Sequence, residues 1–191
     1  MKQPEAPLPR FDNRSAFHAW VEQQPHKRWE RQDGAVIAMA PERVVHARVK
    51  SRAWKALDDA VRKAKLPCEA FIDSVTVEVS PSTDFEPDVV VACSDSIGDE
   101  QTAVPNPVVV VEVLSPSTSH RDTGVKLEGY FSLPSIQHYL LVSTDIRLVV
   151  HHRRLEPGKL LTQLHREGPI DLDPPGLRVV VQDFYEGTKL A

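Results

Sequence analysis

Short apolar runs along the chain predict the buried strands. Residues 107–114 read Pro-Val-Val-Val-Val-Glu-Val-Leu, with no turn residue inside the run. A half-exposed strand would alternate apolar and polar residues, so a run this rich in valine predicts a strand that is covered on both faces. A second run, Val89–Ala92, directly follows Pro87-Asp88 and predicts another buried strand. Each of the two strands thus carries or adjoins an acidic residue.

Turn residues and helical spacing predict most of the remaining elements. Asp33-Gly34 separates two strand-like runs, 29–32 and 35–39, and predicts a β-hairpin. Ser15 is a candidate cap for a helix that ends near residue 24. Apolar residues at helical spacing predict a long helix with Pro41 in its first turn and its end near residue 65. A shorter helix is predicted over 119–133, and further strands over 70–72, 75–79, 138–142, 146–151, 159–165 and 178–181, with 80–86 as a loop.

The order of these elements predicts the fold class. A helix, a hairpin and a second helix precede a region that is mostly strands, which favours an α+β fold with one mixed β-sheet flanked by helices. The 191 residues are enough for one core, and we find neither a repeat nor a linker. We therefore expect residues 1–12 to be a loose N-terminal leader and residues 13–191 to form a single domain.

Composition places the chain among ordinary globular proteins, with 41% hydrophobic and 26% charged residues. No stretch approaches the roughly 18 apolar residues of a membrane span. The N-terminus lacks the apolar core of a signal peptide, so the expected location is cytoplasmic. Cys68 and Cys93 have no CxxC spacing, and we expect both to be small buried apolar side chains.

The charge pattern leaves two interpretations open. The net charge of −4 argues against a protein that coats nucleic acid in general. Residues 41–66 nevertheless contain eight Lys or Arg against three acids. This excess fits the solvated face of an amphipathic helix, and it also fits a surface that contacts phosphates.

The buried acid in the valine-rich strand is the main indication of chemistry. Burying the Glu112 carboxylate costs several kcal/mol unless it is paired or binds a cation. Asp122, Lys126 and Tyr130 follow at four-residue spacing, which places them on one face of a helix. Asp88 and Glu112 with Lys126 predict a metal-dependent hydrolytic site. Plainer readings remain for each residue: a strand start at Asp88, a buried ion pair at Glu112, a solvated Lys126 and a helix-start Asp122.

These residues resemble the PD-(D/E)XK nuclease superfamily, and within it the Uma family of bacterial restriction endonucleases. The resemblance is carried by Pro87-Asp88, the segment 112–118 (Glu-Val-Leu-Ser-Pro-Ser-Thr) and Asp122-(x)3-Lys126-(x)3-Tyr130. Trp29-Glu30-(x)2-Asp33-Gly34 and His46 are weaker matches. Together these positions span roughly residues 28–185. The superfamily pattern has a lysine two residues after the second acid, where this chain has Leu114. The Uma family is similar in lacking it, and Lys126 on the next helix takes its place.

The resemblance implies a restriction-endonuclease-like fold and a magnesium-dependent DNA endonuclease, with Mn2+ as a possible substitute. Asp88 and Glu112 are the expected metal ligands, and the carbonyl of Val113 is the expected third ligand because it follows Glu112 on the strand. Lys126 would orient the attacking water or offset charge on the phosphate. Glu30 would add a ligand or position another group, and Tyr130 would hydrogen-bond the lysine or a phosphate oxygen.

Two other functions stay open at this stage. One is a catalytically inactive nuclease-fold module that binds DNA or protein, favoured by Leu114 and by the acidic net charge. The other is a hydrolase or small-ligand protein on the same scaffold. DNA is the expected partner, and cleavage of both strands would favour a homodimer. Most histidines lack metal-ligand spacing, and the adjacent His151 and His152 should face opposite sides of a strand; His46 is the one expected near the site.

Overall fold

The computed structural model describes residues 7–24, 27–73, 75–94, 97–114 and 120–191, with the side chains of residues 120–123 left out. Its helices are α1 (Arg14–Val21), α2 (Val44–Ala64), α3 (His120–Ser132) and α4 (Val181–Tyr185). Its strands are β1 (Trp29–Gln32), β2 (Ala35–Ala38), β3 (Cys68–Ile72), β4 (Val77–Ser80), β5 (Thr83–Phe85), β6 (Val89–Cys93), β7 (Pro107–Leu114), β8 (His138–Ser143), β9 (Val149–Glu156), β10 (Lys159–His165), β11 (Pro169–Leu172) and β12 (Leu177–Val180).

A mixed six-stranded sheet forms the centre of the fold, in the order β10-β9-β8-β7-β6-β3. Strands β7 and β8 are parallel, and the other neighbours are antiparallel. One face carries α2, α4 and the β11–β12 hairpin. The other face packs residues of α3 and of a four-stranded sheet, β2-β1-β5-β4. The predicted α+β class with a mixed sheet flanked by helices is confirmed. The prediction of a single sheet is wrong, because β1, β2, β4 and β5 form a second sheet and β11 and β12 form a third.

The two valine-rich strands are covered on both faces, as their composition predicts. In β6 and β7, alternate residues belong to different apolar clusters: Val89 and Val111 pack towards α2, whereas Val90 and Val110 pack towards α3. All four are fully buried. A polar residue in either strand is therefore surrounded by protein on both sides unless it lies at a strand end.

The hairpin prediction is confirmed, and the helix starts need correction. Asp33 and Gly34 have φ angles of 48° and 76°, the left-handed pair that a tight two-residue hairpin requires. Asn13, not Ser15, caps α1 by accepting a hydrogen bond from the Ala16 amide. The helix α2 begins at Val44 and not at Pro41, since the residue before it is extended. No helix of the described residues is long and apolar enough to cross a membrane.

Residues 80–86, expected to be a loop, contain β5. Asp84 of β5 is buried and accepts a hydrogen bond from Arg31 of β1 at 2.9 Å and one from Arg14 at 2.7 Å. The Arg31 side chain is fully buried. This ion pair stabilises a strand of only three residues, and its members are 53 positions apart in the chain, so no local pattern indicates it.

The reading of the two cysteines as plain apolar side chains is wrong. Cys68 and Cys93 lie directly opposite each other on β3 and β6 and form a disulfide, with their Cα atoms 4.0 Å apart. The link joins the edge strand to the strand that follows Asp88. A separation of 25 residues hides such a pair in the sequence, because it depends on the strand register.

Candidate active site

Strand register brings the two predicted acidic ligands together. Val89 of β6 pairs with Val111 of β7, so the next position along places Asp88 opposite Glu112. The Asp88 Oδ2 accepts a hydrogen bond of 2.7 Å from the Val113 amide, which holds this carboxylate against β7. The negative charge of Asp88 also acts on Glu112 and contributes to the raised pKa of that group. Asp88, Glu112 and Val113 therefore share one location at the end of the two strands.

The lysine reaches this location from α3. Lys126 Nζ donates hydrogen bonds to Glu112 Oε1 at 3.0 Å and to Glu30 Oε1 at 2.8 Å. One turn later, the Tyr130 hydroxyl donates to the same Glu112 oxygen at 2.8 Å. Both side chains are buried. The four-residue spacing thus directs both groups to one carboxylate. Tyr130 was expected to hydrogen-bond the lysine or a phosphate oxygen, but its hydroxyl contacts Glu112.

Close packing of α3 makes this reach possible. Gly129 faces the aromatic ring of Phe85, and a Cβ atom at this glycine would lie 2.7 Å from Phe85 Cε2. The ring of Tyr130 packs between Phe85 and Tyr139, with ring centroids 5.3 and 5.1 Å away. The missing side chain at Gly129 lets the helix approach β5, and this approach carries Lys126 to the carboxylates.

Glu30 comes from the predicted hairpin. It lies on β1, is buried, and its Oε1 accepts hydrogen bonds from Lys126 and from the Glu86 amide at 2.9 Å. Because the lysine and a backbone amide both point at this oxygen, Glu30 fixes the position of the Lys126 amine. The Lys126 amine thus lies between the carboxylates of Glu30 and Glu112.

Burial shapes the protonation of these groups. Burial raises the pKa of Asp88 to about 6, although the Val113 amide and Lys50 oppose the rise. Burial likewise raises the pKa of Glu30 and of Glu112, against the lowering effect of Lys126. For Lys126, burial lowers the pKa, but the charges of Glu112 and Glu30 outweigh burial and raise the pKa above that of a free lysine. The lysine therefore stays charged while the neighbouring acids bind protons more readily than usual.

A second group of side chains adjoins Asp88 on the α2 side. His46 Nε2 lies 3.5 Å from Asp88 Oδ2, and His46 Nδ1 lies 3.4 Å from Glu42 Oε2. One ligand atom from each of Glu42, His46 and Asp88 lies within 4.8 Å of the others, a spacing that can hold a metal ion. Sequence reasoning placed His46 near the site but missed Glu42, whose only signal is its position four residues before the histidine.

Partly exposed ion pairs around the buried Lys50 complete this part of the site. Lys50 of α2 donates hydrogen bonds to Glu42 and to Asp73, and its Nζ lies 3.8 Å from Asp88. Arg28 forms ion pairs with Glu42, Asp73 and Glu86. We call these ion pairs, together with the adjoining pairs of Lys126, the carboxylate cluster. Its members are Glu30, Glu42, Asp73, Glu86, Asp88 and Glu112 together with Arg28, Lys50 and Lys126.

The carboxylate cluster carries more negative than positive charge. Six carboxylates face three fixed cations in the part of the chain that the structure describes. Uncompensated charge is costly in a buried setting, and bound cations are one of the ways in which proteins offset it. The raised pKa values of Glu30, Glu86, Asp88 and Glu112 reflect the same imbalance on top of burial.

Some predicted residues cannot be placed, and the basic segment is partly neutralised. The Asp122 side chain and the segment 115–119, which includes Ser115, Ser117 and Thr118, lie outside the described residues.

On α2, carboxylates pair with Lys50, Arg52, Lys55 and Arg62. These pairs favour the reading of that half of the segment as a charged helix face.

A second buried polar group lies elsewhere on the six-stranded sheet. His138 Nδ1 and His151 Nε2 are 2.8 Å apart, and His138 Nε2 lies 2.8 Å from the Pro174 carbonyl oxygen. The His165 ring centroid is 5.9 Å from that of His151. We call His138, His151 and His165 the histidine cluster. His152 instead stacks on Tyr139 on the other face, which confirms the predicted alternation.

The histidine cluster is neutral at physiological pH. Burial lowers the pKa of His138 to about 4 and that of His151 to about 3. Because a carbonyl can only accept, His138 Nε2 carries the proton, so His151 must donate from its Nε2 to His138 Nδ1. No local pattern indicates this contact, since the two histidines are 13 residues apart on neighbouring strands.

Comparison with known proteins assigns the chain to a family. A family model described as "Uma2: Putative restriction endonuclease" matches residues 14–182. The chain therefore belongs to the Uma2 family. This assignment confirms the family resemblance that the motif residues carry.

Individual relatives and one solved structure are also similar. The chain is 28% identical over 190 residues to the uncharacterized protein slr1290 of Synechocystis sp., covering 96% of each chain. It is 32% identical over 103 residues to the uncharacterized protein sll1609 of the same organism, covering 52% of this chain and 58% of that protein. The crystal structure of "a putative nuclease belonging to DUF820" from Anabaena variabilis superposes with a TM-score of 0.64 at 18% identity, covering 82% of this chain and 88% of the other. The fold is restriction-endonuclease-like.

Proposed function

We propose that the protein is a magnesium-dependent DNA endonuclease of the PD-(D/E)XK type, which hydrolyses phosphodiester bonds. One observation carries the proposal. The buried Lys126 amine bridges Glu112 and Glu30, next to an Asp88 carboxylate that lies opposite Glu112. Two acids and a lysine at one sheet end form the arrangement that phosphodiester hydrolysis with a divalent ion needs.

The residues present fit a divalent ion. The described part of the carboxylate cluster has three more carboxylates than fixed cations, and Mg2+ takes oxygen ligands. Asp88, Glu112 and the Val113 carbonyl would hold the ion, and Mn2+ could substitute for it. A bound ion supplies a more acidic water and stabilises negative charge on the phosphate.

The remaining groups act through charge and position. Lys126 stays protonated, so it can donate a hydrogen bond to a phosphate oxygen or orient the attacking water. Glu30 positions the Lys126 amine, because its Oε1 accepts from both that amine and the Glu86 amide. Tyr130 holds Glu112 through its hydroxyl, which fixes the carboxylate that would bind the ion.

The second candidate function is a catalytically inactive nuclease-fold module that binds DNA or protein. It is favoured by Leu114, which stands where the superfamily has its lysine, and by the net charge of −4. A plasmid-nicking assay across Mg2+ and Mn2+ titrations separates the two functions. Nicking by the wild-type protein and none by Asp88→Ala supports the nuclease. Duplex binding without nicking at any metal concentration identifies the binding module instead.

DNA is the proposed substrate. The proposed compartment is the cytoplasm, where the protein would meet DNA. Cleavage of both strands would favour a homodimer, because each site cuts one strand. Light scattering of the purified protein, with and without duplex, measures the oligomeric state. A monomer in both conditions, combined with nicking of single strands only, would contradict the homodimer.

A further inference from the structure

The imidazole of His46 is held between two carboxylates. Its Nε2 faces Asp88 Oδ2 at 3.5 Å, and its Nδ1 faces Glu42 Oε2 at 3.4 Å. The side chain is only 12% exposed, and Nδ1 is buried with no hydrogen-bond partner in proper geometry among the described residues. A ring in this position must satisfy two anions with its two nitrogens.

A neutral imidazole can donate from only one nitrogen. The other nitrogen then presents its lone pair to a carboxylate, which is repulsive unless a cation lies between them. The separation of His46 Nε2 and Asp88 Oδ2, 3.5 Å, exceeds the usual N–H···O distance of about 2.9–3.0 Å. Two atoms that each lie roughly 2.1 Å from a shared ion are about 3.0–3.5 Å apart. The observed spacing is that of two ligands of one cation.

Glu42 sets which nitrogen remains free. Its Oε1 accepts a hydrogen bond from Lys50, which also pairs with Asp73, so the carboxylate is held with Oε2 towards His46 Nδ1. At 3.4 Å the contact is not a hydrogen bond, but the negative charge of Glu42 favours the tautomer with the proton on Nδ1, which leaves Nε2 for a metal. Glu42 is thus a positioning residue that turns the Nε2 lone pair towards Asp88.

We propose that His46 is a nitrogen ligand of the same divalent ion that Asp88 binds, and that the site therefore prefers Mn2+ to Mg2+. The inference rests on the proposed metal site at Asp88. Imidazole suits transition metals, whereas Mg2+ favours oxygen ligands and keeps its waters. A mixed set of carboxylates, a carbonyl and one imidazole is consequently a poorer match for Mg2+ than an all-oxygen set.

Electron spin-echo spectroscopy of the Mn2+-loaded full-length protein tests the nitrogen ligand directly, because it detects 14N bound to Mn2+. We expect a 14N coupling in the wild-type protein and none in His46→Gln. The matched control is His152→Gln, which should keep the coupling. His152 lies on β9 and is hydrogen-bonded to Thr162 of β10. Since the wild-type spectrum needs no variant, the test stands even if His46→Gln does not fold.

Competition between Mn2+ and Mg2+, followed by the free Mn2+ signal, tests the preference. The wild-type protein should bind Mn2+ at least ~10-fold more tightly than Mg2+, and His46→Gln should lose most of that ratio. Glu42→Gln should weaken Mn2+ binding by roughly 10-fold and keep the 14N coupling. The double variant should be no weaker than His46→Gln alone, since Glu42 acts through the histidine.

The outcomes separate this inference from the proposed function. Suppose that the wild-type protein binds Mn2+, that Asp88→Ala loses this binding, and that no 14N coupling is seen. This result would overturn the role of His46 and leave the metal site at Asp88 intact. Protein that binds neither ion overturns both the inference and the metal-dependent nuclease.

Discussion

The six-stranded sheet holds two buried polar groups that solve the problem of burial in opposite ways. The carboxylate cluster at the end of β6 and β7 keeps charged groups and an excess of negative charge. The histidine cluster on β8, β9 and β10 keeps neutral rings linked to each other and to a carbonyl. The histidine cluster has no net charge to offset, although His151 Nδ1 and His165 Nε2 are buried without a hydrogen-bond partner among the described residues. The excess negative charge of the carboxylate cluster instead suits a bound cation. The contrast distinguishes a group built for stability from one that fits a ligand.

The two groups should respond to acid with opposite signs. For His138 and His151 the folded pKa values of about 4 and about 3 lie below the ordinary 6.5, so the unfolded chain takes up protons first and stability falls as pH drops below 6.5. For Asp88 the folded pKa of about 6 lies above the ordinary 3.8, so the folded protein takes up the proton first. Its contribution makes the protein more stable as pH falls from about 6 towards 3.8.

The largest expected effect separates the clusters by activity. Asp88→Ala or Glu112→Ala should abolish magnesium-dependent DNA cleavage, a loss of at least ~10³-fold, because two acids that hold one ion act as a unit. Stability should stay unchanged or rise in Asp88→Ala, since a repelling carboxylate is removed from the metal-free protein. Plasmid nicking and denaturant unfolding measure the two effects. The control is Glu69→Ala, an exposed acid on β3, and equal loss in this variant would contradict the assignment.

Removing the lysine should reduce cleavage by roughly 10²-fold or more while leaving metal affinity within a few-fold, because Lys126 stabilises charge and is not a ligand. Single-turnover nicking and a Mn2+ titration of Lys126→Ala test this. Lys55→Ala removes an exposed lysine that pairs with Asp59 and serves as the matched control. Loss of metal binding together with activity would show that the lysine maintains the fold of the site instead.

The histidine cluster should affect stability and not cleavage. In an Asp88→Asn background, which removes one of the acids with the opposing pH response, the histidine contribution to the free energy of unfolding should fall by on the order of 1–3 kcal/mol between pH 7.5 and 5, after allowance for solvent screening. His151→Gln in that background should flatten this dependence, since glutamine does not titrate in this range. Urea unfolding at several pH values measures it. An unchanged slope would mean that the rings do not carry the acid response.

In the wild-type background, His151→Gln should leave cleavage per folded molecule unchanged at pH 7.5. This ring belongs to the histidine cluster and contacts no member of the carboxylate cluster among the described residues. The nicking rate, corrected for the folded fraction, checks it. A large loss of activity would link the two clusters and end the contrast between them.

The smallest loss of cleavage is expected from Gly129→Ala. The new Cβ would lie 2.7 Å from Phe85, so α3 must shift and move Lys126 away from the carboxylates. A displacement of this kind should lower cleavage by about 10-fold. Gly124→Ala on the same helix meets no atom within 4 Å among the described residues and should stabilise the helix by roughly 0.5–1 kcal/mol without loss of activity. Equal activity of the two variants would show that the helix position is not critical.

Local sequence signals predicted the elements whose cause is local. The hairpin at Asp33-Gly34 follows from two residues that tolerate positive φ, and the buried strands follow from their valines. Strand β5 was missed because its stability comes from the ion pair of Asp84 with a distant arginine. The disulfide of Cys68 was missed for a similar reason, since it depends on how β3 pairs with β6.

The candidate site shows the same division. Glu112 stands out in the sequence because a charge among valines demands a partner, and Lys126 follows from its spacing and from the family resemblance. Glu42 had only its four-residue spacing from His46 as a signal. The contact of His138 with His151 had none, because it depends on the register of β8 and β9. Their assigned chemistry stays a prediction until the variants above are measured.

The lysine that comes from α3 instead of β7 has a consequence for how this site can evolve. A lysine on a strand moves only when the register jumps, and each jump turns the neighbouring side chains to the other face. Lys126 is placed by the aromatic packing of Phe85, Tyr130 and Tyr139. A volume change in such a close-packed layer shifts the surrounding backbone slightly. Neutral substitutions in the apolar layer can therefore tune the distance of the charge gradually, without any change in the charged residues themselves.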